Sequence, residues 1–187
     1  LDFKFSGEQE DQAEAMGFLS TALGISVALV FFVMVLQFNN ISAPILIITT
    51  IIFSIIGVLL GYVMTGMDLV IIMTGIGIIS LAAVVVNNAI VLLDYIKVVQ
   101  TDMVNNRNNH YLTEEEVKAT VIEAGKTRLR PVLLTAITTV LGLYPLAIGF
   151  NFDFTGLITD LNPNIYYGGD GAEMWGSLAW TVIYGLT

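Results

Sequence analysis

Ile71-Ile72-Met73-Thr74-Gly75-Ile76-Gly77-Ile78-Ile79-Ser80-Leu81-Ala82-Ala83-Val84-Val85-Val86-Asn87-Asn88-Ala89-Ile90-Val91-Leu92-Leu93 is an apolar run long enough to cross a bilayer, with two adjacent carboxamides inside it. In hydrocarbon an unmet carboxamide group costs at least about 1 kcal/mol, so Asn87 and Asn88 need partners. Polar side chains at such depth either bind neighbouring helices together or line a path for ions or substrate.

The rest of the chain has the same character. Of 187 residues, 56% are hydrophobic and only 12% are charged, against about 25% charged in a soluble domain. The class is an all-α integral membrane protein, a polytopic helical bundle. A window of about 20 residues predicts spans over Gly17–Phe38, Ala43–Met64, Leu69–Ile96 and Pro131–Phe150, with a fifth beginning near Met174. The expected organisation is 1–16 before the first span, 17–96 as three helices with short links, 97–130 as a polar loop, 131–150 as a helix, 151–173 as a loop and 174–187 as the start of another helix. The opening Leu1-Asp2-Phe3-Lys4 and the ending Leu186-Thr187 inside an apolar stretch predict a piece of a longer protein.

Six of the seven basic residues, Lys97, Arg107, Lys118, Lys126, Arg128 and Arg130, fall between the third and fourth spans. The positive-inside rule places that segment in the cytoplasm. The acidic N-terminal stretch and the loop 151–173 then lie outside. Within 113–130, Thr113-Glu114-Glu115-Glu116 predicts a capping box. Val117, Val121, Ile122 and Leu129 form a modest apolar stripe, Gly125 predicts a break or bend, and Pro131 suits the first turn of the next span. Residues 100–109 read as a flexible turn.

Enzyme signatures are missing from the sequence: it has no HExxH, no GxSxG and no P-loop, and with no cysteine it offers neither disulfides nor thiolate ligands. His110 is the one histidine, so no metal site and no cofactor is expected. The clustered basic residues do not form a nucleic-acid surface, and the net charge of −9 reflects acidic loops. Ser54, Gly57 and Gly61 make a small-residue stripe suited to close helix packing.

Asn87 and Asp94 are seven residues apart, on nearly one helix face and about 10 Å apart along the axis. Arg128 and Thr135 share that spacing, and Thr135, Thr138 and Thr139 form a hydroxyl stripe. Both polar sets lie at similar depth from the cytoplasmic side, which would allow them to meet. Interhelical glue and a transport path both remain open on these residues alone.

The stretch from Gly75-Ile76-Gly77 through Asn87-Asn88-Ala89-Ile90-Val91-Leu92-Leu93-Asp94-Tyr95 resembles the tenth transmembrane helix of resistance-nodulation-division (RND) transporters. Glu123-Ala124-Gly125-Lys126-Thr127-Arg128-Leu129-Arg130-Pro131 through Thr135, and Leu141-Gly142-Leu143-Tyr144-Pro145-Leu146-Ala147, resemble the eleventh. Ser6-Gly7-Glu8 resembles the family's last porter segment before helix eight. The subgroup resembled is the hydrophobe/amphiphile efflux permeases, and the chain corresponds to helices eight to eleven and the start of twelve. The resemblance implies a multi-pass protein of the bacterial inner membrane that expels drugs or amphiphiles by proton antiport. It also implies work as a trimer with porter domains, a periplasmic adaptor and an outer-membrane channel. The alternatives are a branch exporting metal ions or envelope lipids, or a membrane module with no transport of its own. In the family, proton coupling uses helix-four aspartates, with a lysine on helix ten, an arginine before helix eleven and a threonine inside it. Arg128 and Thr135 match the last two. Asn87 stands at the lysine position, and Asn88 matches a neighbouring asparagine. The resemblance thus makes Asn87, Asn88, Arg128 and Thr135, with Asp94 beside them, the candidate coupling residues.

Overall fold

The computed structural model describes residues 7–106, 112–152 and 165–187. Arg107, His110, Asp153 and Asp160 lie outside the described residues. The elements are α1 (Glu8–Phe38), α2 (Ser42–Thr65), α3 (Ile71–Asn106), α4 (Glu114–Ala147), β1 (Phe150–Asn151), β2 (Tyr166–Tyr167) and α5 (Asp170–Leu186). The four helices α1 to α4 are long and apolar enough to cross a membrane. Large apolar side chains such as Phe18, Phe32, Leu36, Phe53 and Val63 stay exposed, as a lipid-facing surface requires.

Short left-handed turns set the antiparallel order. Asn39 caps α1 at φ 45°, and Asn40 Oδ1 accepts a hydrogen bond from the Ser42 amide at 3.0 Å to start α2. Gly66 closes α2 at φ 64°, its amide donating to the Tyr62 carbonyl at 2.9 Å. A side chain at that φ would strain the backbone, so glycine stands there.

Three apolar clusters hold the bundle. Met34, Phe38, Ala43, Ile47, Ile51 and Val86 join α1, α2 and α3. Val58, Tyr62, Leu81 and Val182 join α2, α3 and α5. Ala147, Ala179 and Ile183 join α4 and α5. The helix α5 therefore packs against α2, α3 and α4. The small-residue stripe lies at this contact. Ser54 Oγ donates to the Gly185 carbonyl at 2.9 Å, and a Cβ on Gly57 would sit 3.2 Å from the Tyr184 carbonyl oxygen. A Cβ on Gly61 would fall 2.6 Å from Tyr184 Cβ. Hydrogen here permits a backbone approach that a methyl group would block.

Several boundaries differ from the sequence expectation: α1 begins at Glu8 rather than Gly17 and α5 at Asp170 rather than Met174. The third helix does not end near Ile96 but runs on to Asn106, through the stretch read as a flexible turn. Its extension finds a partner: Thr120, fully buried on α4, donates to Met103 Sδ at 3.6 Å and to its own Glu116 carbonyl at 2.7 Å. In addition, residues 113–147 do not split at Gly125. One 34-residue helix, α4, carries both the amphipathic segment and the span, with Pro131 in its interior. Its length of about 51 Å exceeds a hydrocarbon core of about 30 Å, so one end projects beyond it. The helix runs unbroken through Gly125, where an added Cβ would meet open space, and proline is tolerated inside membrane helices, where local adjustments satisfy the freed carbonyl. The buried face of the projecting part is Thr120 and Ala124, while Val117, Val121, Ile122 and Leu129 are exposed. The capping box is present, with the Glu116 amide donating to Thr113 Oγ1 at 3.4 Å and the Thr113 amide to Glu116 Oε2 at 3.0 Å.

Candidate coupling site

The helical period sorts the polar residues of α3 onto two faces. Asn87, Val91, Asp94 and Val98 are all exposed. Asn88, Leu92, Tyr95 and Val99 are all half-buried. The adjacent asparagines therefore have different surroundings. Asn87 shares an open face with Asp94, and Asn88 shares a packed face with Tyr95 one heptad on.

On α4, Arg128, Val132, Ala136 and Thr139 are half-buried, while Thr135 and Thr138 are exposed. The guanidinium carbon of Arg128 lies 4.5 Å from the centroid of the Tyr95 ring. Such a cation–π contact contributes about 0.5–2 kcal/mol, the more the drier the site. Arg128 Nε is buried and has no hydrogen-bond partner. Among the described residues no ion pair joins Arg128 to Asp94, which is exposed on the neighbouring face.

The structure does not bring the two sequence stripes into hydrogen-bond contact. Thr135 Oγ1 donates to the Val132 carbonyl at 2.8 Å. Thr138 donates to the carbonyls of Leu134 and Thr135, at 2.8 and 3.0 Å, and Thr139 to that of Thr135 at 2.8 Å. Each hydroxyl donates within its own helix, which is the default for threonine in an apolar helix. Each oxygen keeps acceptor capacity for another partner. Beside these residues, α4 meets α3 through Arg128 on the ring of Tyr95, a residue outside the Asn, Asp, Arg and Thr spacings read from the sequence.

Two further polar features were not singled out from sequence. Lys97 Nζ donates to the Phe38 carbonyl at 2.6 Å and lies over the Phe38 ring at 4.3 Å. The buried Tyr62 hydroxyl donates to the Ser177 carbonyl at 2.8 Å and lies 2.9 Å from Thr181 Oγ1 and 3.3 Å from Thr74 Oγ1. A cavity of about 150 Å³ among α1, α2 and α3 is lined by aliphatic side chains and Ser26, and carries no charge. Among the described residues no group of His, Cys, Asp or Glu could hold a metal ion.

The sequence profile of the AcrB/AcrD/AcrF family matches residues 1–151. The chain is 35% identical over 144 residues to the swarming motility protein SwrC of Bacillus subtilis (strain 168), covering 77% of this chain and 12% of that protein. It is 29% identical over 182 residues to the cobalt-zinc-cadmium resistance protein CzcA of Cupriavidus metallidurans, covering 97% of this chain and 14% of that protein. The cation efflux system protein CzcA of an Alcaligenes species (strain CT14) matches to the same extent. The chain thus spans 12% to 14% of the length of these relatives.

Proposed function

Because the chain belongs to the AcrB/AcrD/AcrF family, whose members are RND permeases, we propose that it forms part of the membrane domain of a proton-driven efflux transporter and carries one side of its coupling site. The observation that carries this reading is an incomplete polar site within the apolar helices α3 and α4. Asn87, Asp94 and Thr135 are exposed, and the buried Nε of Arg128 has no acceptor. Polar groups at membrane depth face protein or water rather than lipid. Carboxylates on another helix of the whole permease supply the matching charge. Deprotonated, they attract Arg128. Protonated, they release it and keep hydrogen bonds to Asn87, Asn88 and Thr135. The shift between these two contact sets moves the helices and, through them, the porter domains. In this scheme the permease sits in the bacterial inner membrane and acts as a trimer with an adaptor and an outer-membrane channel, as the family resemblance implies.

Asparagine at position 87 changes the scheme. A carboxamide supplies no cation, so the switching positive charge falls to Arg128 alone. The test is proton-coupled efflux by the full-length protein carrying Asn87→Leu and Arg128→Ala, with ethidium as the exported probe. Both variants are expected to lose most transport while inserting normally. Undiminished efflux by both sinks the reading.

A second substrate reading has its own support. The relatives matched over 97% of the chain are named for cobalt, zinc and cadmium resistance and for cation efflux. Export of divalent cations is therefore weighed against export of amphiphiles. Growth of cells carrying the full-length gene on Zn²⁺, Co²⁺ and bile salts separates the two.

A further inference from the structure

We propose that Tyr95 is a positioning residue for the coupling reaction, holding Arg128 by its ring face so that the cation is oriented without being neutralised. This rests on the reading of Arg128 as a coupling residue given above.

Three observations carry it. The Arg128 guanidinium lies 4.5 Å from the Tyr95 ring centroid, across the interface between α4 and α3. Its Nε is buried with no acceptor, so within a half-buried side chain that nitrogen has no hydrogen-bonded counter-charge. Asp94, the adjacent residue on α3, carries a carboxylate but is exposed, and among the described residues Arg128 contacts the Tyr95 ring and forms no ion pair with Asp94. One position along the helix separates an ion pair from a ring contact, because successive residues turn by about 100°.

The difference has a chemical consequence. A bidentate carboxylate on Arg128 would satisfy its donors and cancel its charge. An aromatic face attracts the cation through its quadrupole yet leaves the N–H edges of the planar group available. Arg128 is then pre-oriented and still responds to a carboxylate arriving from another helix. Tyr95 also lies one heptad from Asn88, on the half-buried face of α3, so ring, guanidinium and carboxamide share one side of the helix.

The experiment uses the full-length permease reconstituted in liposomes, with proton counterflow followed against ethidium and, in parallel, against Zn²⁺. The variants are Tyr95→Phe, Tyr95→Trp, Tyr95→Leu and Arg128→Ala. Tyr95→Leu is expected to lower the maximal rate about two- to thirtyfold, the population factor of one lost cation–π contact. Half-saturation for the exported probe is expected to stay unchanged. Phe and Trp, which keep a ring face, restore the rate. A rate in Tyr95→Phe and Tyr95→Trp as low as in Tyr95→Leu overturns the role of the ring. Loss of counterflow in Arg128→Ala with a normal rate in Tyr95→Leu overturns this inference and leaves the coupling site standing. Normal counterflow in both Arg128→Ala and Tyr95→Leu overturns the coupling reading itself.

Discussion

Lys97 of α3 donates to the carbonyl of Phe38, the last residue of α1, at 2.6 Å, and rests on that residue's ring. The carbonyls of a final helical turn have no partner within the helix and carry the negative end of its dipole. One ammonium group thus satisfies an orphan acceptor and fastens the end of α1 to α3. Replacing Lys97 by Met keeps the apolar stem and removes the donor. The expected cost is about 1–2 kcal/mol, read as faster hydrogen exchange at the amides of 39–41 in the purified full-length protein. Unchanged exchange there removes the fastening role.

Gly61 and Gly125 are predicted to respond oppositely to alanine. At Gly61 the new methyl group would collide with Tyr184 near its backbone, where the side chain has little freedom to yield. Overpacking of this kind costs about 1–3 kcal/mol. At Gly125 nothing lies within reach of the methyl group, and alanine gains up to about 1 kcal/mol of helix propensity. Thermal unfolding in detergent should show a lower midpoint for Gly61→Ala and an equal or higher one for Gly125→Ala. The reverse order would contradict the α2–α5 approach described above.

Tyr62→Phe removes one hydroxyl from a buried set shared by α2, α3 and α5. Thr181 retains its bond to the Ser177 carbonyl at 2.6 Å, so the loss is limited to the Tyr62 bonds. About 1–2 kcal/mol is expected. A double-mutant cycle with Thr181→Val should give a coupling energy above about 0.5 kcal/mol. Strict additivity would mean that the two hydroxyls do not interact.

Thr113→Ala breaks the capping box at the start of α4 and should cost about 1 kcal/mol. The effect is local, because the Thr113 and Glu116 side chains stand at the polar end of the helix. Protease sensitivity between the ends of α3 and α4 is the measurement, and Thr113→Asp, which keeps an acceptor, should restore resistance.

Much of the architecture was legible because its signals are local. Apolar runs gave the spans, Thr113 with Glu116 gave the start of α4, and Ser54, Gly57 and Gly61 gave a surface for close packing. What was hidden depends on distant partners. Tyr62 reads as one more apolar residue of the second span until Ser177 and Thr181 are brought beside it from 115 and 119 residues away. Gly125 reads as a break and Pro131 as the first turn of a new helix because their propensities are measured in water, whereas α4 is continued by its packing on α3 at Thr120, with Ala124 also buried, and a lipid environment favours closed backbone hydrogen bonds. Within the candidate site, Asn87, Asp94, Arg128 and Thr135 were visible as polar atoms in apolar helices. Their division between an open face and a packed face was not, since it depends on how α3 is rotated against α4.

The close fit of α5 on α2 also bears on biogenesis. Tyr62 precedes Thr181 by 119 residues, so at about 5–20 residues per second the glycine face of α2 waits on the order of ten seconds for its partner. During that interval α2 is in the bilayer with Ser54 and Tyr62 unmet by the residues that later receive them. A ribosome that stalls or terminates before α5 emerges leaves a product whose α2 surface marks it as unfinished.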